Sequence, residues 1–131
     1  MDFFRKLFNK KQTKSQSDDS SIKETEQILS VAYREVVLNP LHSQTSKAII
    51  NRYPGLQITE DEAYALLIVE TVHISGMATF DIKTALSLII MQCGKLGRNI
   101  DSNRASSLWE IMDYFRNCAD EYKEFFKYYL K

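Results

Sequence analysis

A carboxylate and an imidazole lie one helical turn apart at Glu70 and His73, in the segment Glu-Thr-Val-His. Helical di-iron proteins use a Glu-x-x-His pair of this spacing, with both side chains projecting into the bundle. A complete site needs a second such pair and two further carboxylates, yet Asn39 stands three residues before His42, the other histidine. Because only half of the motif is present, the sequence predicts neither a metal nor another cofactor. Glu70 and His73 remain weak candidates for metal ligands.

Other kinds of catalytic site lack their sequence signatures. No Gly-x-Ser-x-Gly elbow marks a nucleophilic serine, and neither Cys93 nor Cys118 stands at a predicted helix N-terminus, where a thiol is activated. The segment CGKLG, residues 93–97, ends a predicted helix, whereas a phosphate-binding loop begins one. The sequence therefore predicts a protein that is not an enzyme. A small helical enzyme, or a ligand or metal carrier built around Glu70 and His73, is the second alternative.

The elements that would position these residues are helices. Four glycines and two prolines in 131 residues are too few for the many turns of an all-β fold. Apolar residues recur at helical spacing, and two capping boxes, Ser21–Glu24 and Thr59–Glu62, mark helix starts. The predicted helices run from Ser20 or Ser21 to the Asn39-Pro40 stop, over 43–52, over 60–76, from Asp81 to the glycines at 94 and 97, and from Asp101 or Ser102 almost to the C-terminus.

We therefore expect an all-α fold, a compact bundle of about five helices. The last helix should be long and continuous, because no glycine or proline interrupts residues 102–131. Residues 66–74, LLIVETVHI, hold enough β-branched residues to form a strand. Their length and the preceding N-cap favour a helix, and the sequence leaves both structures open.

The chain divides into three parts by composition. Residues 1–9 form a basic amphipathic segment, residues 10–20 a polar stretch that predicts a flexible linker, and residues 21–131 the bundle domain. Residues 1–14 hold five basic residues and one acidic residue, a balance of +4, and the rest of the chain holds twelve basic and sixteen acidic residues, a balance of −4. An acidic body has no excess positive charge with which to hold phosphates, so we expect no nucleic-acid binding.

The opening sequence MDFFRKLF predicts a short amphipathic helix, with its four apolar side chains on one face and its basic residues towards the other. Such a helix is typical of a membrane surface anchor. The predicted membrane-contact residues are Phe3, Phe4, Arg5, Lys6, Leu7, Phe8, Lys10 and Lys11. Two further hypotheses stay open: the segment docks into a groove of its own bundle, or it binds a groove of another protein.

The last predicted helix carries eight of the chain's fifteen aromatic residues. They cover too wide an arc to face one core, so some are either exposed or buried by a partner, and tyrosine and tryptophan are favoured interface anchors. Acidic residues, among them Asp120, Glu121 and Glu124, would steer a basic partner. The predicted partner-binding residues are Glu60, Asp61, Glu62, Trp109, Tyr114, Tyr122, Tyr128 and Tyr129. The alternative is a broad core stripe with a few hydrated tyrosines.

These properties describe a small helical protein that is poor in catalytic groups. The format is similar to that of immunity proteins, which neutralise bacterial toxins, and to that of small adaptors. The first hypothesis is a non-enzymatic module that occludes or sequesters a partner protein, most concretely an immunity-type protein. The first alternative is a peripheral membrane adaptor recruited through residues 1–11. No export signal is apparent, so we expect a cytoplasmic protein. If the protein is a peripheral membrane adaptor, we expect it at the inner face of the membrane.

Overall fold

The computed structural model describes residues 18–76 and 81–127, which form six α-helices and no strand. The helices are α1 Asp18–Leu38, α2 His42–Arg52, α3 Glu60–Ile74, α4 Ile82–Lys95, α5 Ser102–Cys118 and α6 Asp120–Phe126, with a 3-10 turn at Pro54–Leu56. The predicted all-α bundle is confirmed. In this part of the chain, no helix combines the length and the apolar character needed to cross a membrane. The predicted amphipathic segment, residues 1–9, and residues 10–17 of the predicted linker lie outside the described residues.

The central helix is α3, which packs against α1, α2, α4 and α5. Ten of its fifteen residues are buried. The hydroxyl of Thr59 accepts a hydrogen bond from the backbone N–H of Glu62, whose carboxylate accepts one from the N–H of Thr59, so the predicted capping box is confirmed. Residues 66–74 are helical. Their strand-like composition reflects burial on all sides of a helix rather than a sheet.

Side-chain caps also begin α4 and α5. The carboxylate of Asp81 accepts a hydrogen bond from the N–H of Thr84 at 2.8 Å, and that of Asp101 accepts one from the N–H of Arg104 at 2.8 Å, as the sequence predicts. The start of α1 differs: it begins at Asp18, before the predicted Ser20 or Ser21, so residues 18–20 belong to the helix rather than to the linker.

The last predicted helix is not continuous. Ala119 adopts an extended conformation, with φ −100° and ψ 129°, which ends α5 and begins α6. The side chains of Tyr122, Phe125 and Phe126 in α6 are then buried in the core, and the amide of Asn39 donates a hydrogen bond to the carbonyl of Phe125 at 2.9 Å. A straight helix would carry these aromatic side chains away from the bundle. Their burial is the physical reason for the break, because it outweighs the lost helical hydrogen bonding.

The two cysteines differ in burial. Cys93 lies in the core, whereas Cys118 is exposed at the end of α5. Burial, together with the charges of Glu62 and Asp61, raises the pKa of the Cys93 thiol to about 11. At about pH 8 only about one molecule in a thousand then carries the Cys93 thiolate.

We therefore expect the thiol reagent DTNB to modify one cysteine rapidly in the folded protein and both in denaturant, because the thiolate is the reacting species. Cys118→Ser should remove the rapid phase. Rapid modification of both thiols in the folded protein would contradict the burial of Cys93.

Candidate functional site

Glu70 lies at the centre of a buried polar cluster between α3, α5 and α6. Its carboxylate accepts hydrogen bonds from Arg116, with Nε at 2.7 Å and Nη2 at 2.8 Å, and from the hydroxyl of Tyr122. The Nδ1 atom of His73 lies 3.3 Å from the same carboxylate. A carboxylate has about four lone-pair directions, and four neighbouring atoms now occupy those of Glu70. These four residues, the Glu70 cluster, therefore hold one another and leave the carboxylate no lone pair for a metal.

Opposing effects set the pKa of Glu70. Burial raises it, but the hydrogen bonds from Arg116, His73 and Tyr122 and the charge of Arg116 outweigh burial and hold the pKa below its usual range. The hydrogen bond to Glu70 raises the pKa of Arg116, and burial beside the carboxylate raises the pKa of Tyr122. At neutral pH the three groups are a carboxylate, a guanidinium and a neutral phenol, so none of the three exchanges a proton near pH 7.

Arg116 joins the Glu70 cluster to the surface of the bundle. Its guanidinium carbon lies 5.4 Å from the centroid of the Trp109 ring, a cation–π contact, and its Nη1 donates to Asp113 at 2.8 Å. The ring of His73 meets the Trp109 ring edge-on, with 5.8 Å between centroids. These contacts hold the indole in one orientation, so an approaching ligand would meet a tryptophan that is already positioned.

Trp109 lines a surface groove of about 380 Å³ between α4 and α5, the α4–α5 groove. Its lining residues are Ile82, Leu86, Ser106, Trp109, Glu110 and Asp113. Ile82 is 68% exposed, and Leu86 and Trp109 are half-buried. Among the described residues that line the groove, two are acidic and none is basic. Exposed apolar side chains beside acidic ones favour a ligand that is apolar on one side and positively charged on another.

A second buried ion pair joins the starts of α3 and α5. Arg104 donates to the Glu62 carboxylate from Nε at 2.7 Å and Nη2 at 2.8 Å, and its Nη1 donates to the carbonyl of Leu56 at 2.8 Å. Burial raises the pKa of Glu62, but the hydrogen bonds from Arg104 and Thr59 outweigh it and the pKa falls below its usual value. The pair fastens the 3-10 turn to two helix starts, which is a structural role.

The candidate metal ligands Glu70 and His73 lie side by side, but no third ligand joins them among the described residues. His73 contacts Glu70, as their spacing on a helix requires. His42 lies elsewhere, against Asn39 and Tyr64. The Nδ1 atom of His42 is 2.9 Å from the carbonyl oxygen of Asn39, and the centroids of the His42 and Tyr64 rings are 5.6 Å apart. Within residues 18–76 and 81–127, no three His, Cys, Asp or Glu side chains come together as a metal site requires.

The predicted partner-binding residues fall into separate environments. Trp109 lies in the α4–α5 groove, and Tyr114, on the same helix, is 56% exposed. Glu60 and Asp61 are exposed at the start of α3, whereas Trp109 contacts His73 near the end of that helix. Thirteen residues of helix separate Glu60 from His73, about 20 Å, so these acidic residues and the aromatic ones do not form one surface.

Two predicted partner-binding residues are not on the surface. Glu62 is 0% exposed and Tyr122 is 2% exposed, because each forms hydrogen bonds inside the bundle, with Arg104 and Glu70 respectively. Neither can contact a partner in this structure, and both predictions are corrected accordingly. Other predicted contacts lie outside the described residues: Tyr128, Tyr129 and the membrane-contact residues Phe3, Phe4, Arg5, Lys6, Leu7, Phe8, Lys10 and Lys11.

Sequence reasoning missed Arg104 and Arg116, which hold the two buried carboxylates. A signal was present in α3, where Glu62 directly precedes the largely apolar run of residues 63–69 and Glu70 directly follows it. A buried carboxylate requires a cationic or hydrogen-bonding partner, and the arginines of a neighbouring helix are the natural candidates. The contribution of Ile82 and Leu86 to a groove had no comparable signal, because it depends on how α4 packs on α5.

Comparison with known proteins gives no further identification. No protein-family model, no curated protein and no solved structure matches the chain. The α4–α5 groove, with the Glu70 cluster that supports it, is the candidate functional site among the described residues.

Proposed function

We propose that this protein is a non-enzymatic binding module that sequesters a partner protein by holding a basic and apolar segment of that partner in the α4–α5 groove. The observation that carries the proposal is the position of Trp109, which lines the groove while Arg116 and His73 fix its ring. Tryptophan is among the residues most enriched in binding hot spots. An anchor that is already ordered loses little conformational freedom when the partner arrives.

The chemistry of the groove selects the kind of segment that it would hold. Apolar side chains of the partner would cover Ile82 and Leu86, both of which leave apolar surface in contact with water. Basic side chains would lie beside the carboxylates of Glu110 and Asp113. Charges at the rim of an interface mainly accelerate association, so we expect binding to be slower at high salt.

The most concrete form of this proposal is an immunity-type protein that occludes a basic toxin domain in the cytoplasm. Its support is the small helical format of the chain and the acidic lining of the α4–α5 groove. This form predicts a one-to-one complex with fast, salt-sensitive association.

Substitutions in the groove test the proposed function. The partner is captured with the full chain from the native source, identified by mass spectrometry and purified, and its affinity for each variant is measured by calorimetry. We expect Trp109→Ala to weaken binding about thirtyfold or more, because a central tryptophan anchor contributes about 2 kcal/mol or more. Glu110→Lys reverses an exposed charge and should weaken binding chiefly through slower association.

The matched control is Tyr33→Ala. Tyr33 is an exposed aromatic residue that stacks on Tyr64, with 5.9 Å between ring centroids, so it belongs to the α1–α3 side of the bundle. This variant should bind as the wild type does. If Trp109→Ala and Glu110→Lys both retained wild-type affinity, the α4–α5 groove would not be the binding site.

The charge pattern of residues 1–11 supports a second candidate function, recruitment of the bundle to an anionic membrane. Each basic residue near such a surface contributes about 1 kcal/mol, and insertion of the apolar face adds to this. Within one molecule, membrane binding and docking into a protein groove exclude each other, because both bury the same apolar side chains.

A further inference from the structure

We propose that residues 3–8 of the same chain occupy the α4–α5 groove and keep it closed until a partner displaces them, an inference that rests on the proposed function of that groove. The groove requires a segment that is apolar on one side and basic on another. The sequence contains such a segment in FFRKLF, residues 3–8. A self-docked segment of this kind would act as an internal competitor for the partner.

The apolar sides of the groove and of the segment correspond. On a helix, the three phenylalanines and one leucine of residues 3–8 share one face. The groove presents the side chains of Ile82, Leu86 and Trp109. About two-thirds of the surface of Ile82 is exposed to water. Docking would remove apolar surface of both from water, which favours the contact by about 25 cal/mol for each Å² buried.

The charges correspond as well. Residues 1–14 carry a balance of +4, whereas the lining of the groove, as far as residues 18–76 and 81–127 form it, contains Glu110 and Asp113 and no basic residue. Both carboxylates are exposed, but Asp113 also accepts a hydrogen bond from Arg116, which compensates part of its charge. A basic side chain would therefore be attracted chiefly to Glu110. This complementarity selects the segment over an uncharged apolar one.

The length of the chain permits the contact. Nine residues, 9–17, connect the segment to the start of α1, and a chain of this length spans about 30 Å when extended. The Nζ atom of Lys95 lies 3.4 Å from the Glu26 carboxylate, which places the first half of α1 at the end of α4. Asp18 is about 12 Å from Glu26 along α1 and Leu86 is about 14 Å from Lys95 along α4, and these two lengths together, about 26 Å, do not exceed the length of the extended connection.

Tethering makes even a weak contact effective. A short connection gives the segment an effective concentration of about 1 mM at the groove. If the untethered segment bound with a Kd of about 0.1 mM, the groove would be closed in about nine molecules of ten. A competing peptide would then appear to bind the wild type about tenfold more weakly than it binds a chain whose own segment cannot dock.

The experiment uses Trp109, the only tryptophan of the chain, as the reporter. The full-length wild type is compared with full-length Phe4→Ser/Phe8→Ser, and Val37→Ser/Leu38→Ser serves as the matched control because both residues are exposed apolar side chains on α1. Acrylamide quenching measures the accessibility of Trp109, and titration with a synthetic peptide of residues 1–14 measures the affinity of the groove. We expect quenching to rise in Phe4→Ser/Phe8→Ser alone, and this variant to bind the peptide about tenfold more tightly than the wild type.

The alternatives give different results. If all three proteins bound the peptide equally and quenched equally, self-docking would be overturned while the groove remained a site for basic segments. If no protein bound the peptide, self-docking would again be overturned, and the proposed function would still be decided by the captured partner and Trp109→Ala. If the wild type quenched like Phe4→Ser/Phe8→Ser, and the wild type and the control sedimented with vesicles of phosphatidylcholine and phosphatidylglycerol while Phe4→Ser/Phe8→Ser did not, the segment would be a membrane contact rather than a groove ligand.

Discussion

Replacing Arg116 by methionine is expected to lower the free energy of unfolding by about 3–5 kcal/mol, because breaking a buried ion pair leaves the other charge uncompensated. Glu70 is fully buried, and Arg116 supplies two of its hydrogen bonds and its counter-charge. Urea denaturation followed by circular dichroism measures the loss. Adding Glu70→Gln to Arg116→Met should recover part of the stability, since a neutral amide no longer buries a charge.

The pH dependence of stability should distinguish the variant from the wild type. In the wild type the pKa of Glu70 lies below its usual value, so its contribution to stability is fully present above the unfolded pKa of about 4.3 and is lost only as the pH falls through the lower folded value. In Arg116→Met burial dominates, so the pKa of Glu70 rises and its ionisation destabilises the fold at neutral pH. The difference in stability between the two proteins should therefore shrink as the pH is lowered from about 7 to about 4.5.

The control for this prediction is Arg52→Met, which removes an ion pair at the surface. Arg52 donates to Glu121 at 2.7 Å, but both side chains are well exposed to water. Water compensates the remaining charge, so we expect no measurable change in the free energy of unfolding. A loss in Arg116→Met as small as that in Arg52→Met, or a difference from the wild type that does not vary with pH, would contradict the role given to the Glu70 cluster.

The second large effect is expected for Leu66→Ala in the central helix. Leu66 is fully buried in α3, which four other helices surround, so the structure has little freedom to close the space that a smaller side chain leaves. Such substitutions cost about 2–5 kcal/mol, the sum of lost transfer free energy and the cavity that remains. The midpoint of urea denaturation should fall while its slope stays unchanged, because the surface exposed on unfolding is almost the same.

Leu38→Ala is the matched control for the cavity, because it changes the same residue type at the end of α1, where the side chain is 74% exposed. We expect a change within about 0.5 kcal/mol. Comparable losses in the two variants would mean that α3 is not the tightly packed centre of the bundle.

The sequence could predict the helices whose signals are local. Thr59, Asp81 and Asp101 all act as caps where the pattern places them, and each depends only on residues within one turn. The strand-like composition of residues 66–74 left helix and strand open, because periodicity alone cannot distinguish a strand from a helix that is buried on all sides.

The remaining features depend on contacts between residues far apart in the chain. No glycine or proline near Ala119 indicates a break in the helix. We attribute the break to the burial of Tyr122, Phe125 and Phe126 in the core. The partners of Glu62 and Glu70 lie 42 and 46 residues away. The α4–α5 groove likewise depends on the distance between two helices, which no local pattern encodes.

The two buried ion pairs also restrict which packing arrangements are open to the bundle. Glu62 and Glu70 are eight residues apart on α3, and Arg104 and Arg116 are twelve apart on α5, about 12 and 18 Å of helix. A core made of leucine, isoleucine and alanine would tolerate sliding one helix along another, because such side chains are nearly interchangeable. Sliding α5 by one turn, about 5.4 Å, would separate both pairs at once and strand two carboxylates in an apolar interior. The two ion pairs thus favour one axial alignment of α3 and α5 over the alignments that are shifted by a turn. In the favoured alignment Trp109 faces the groove.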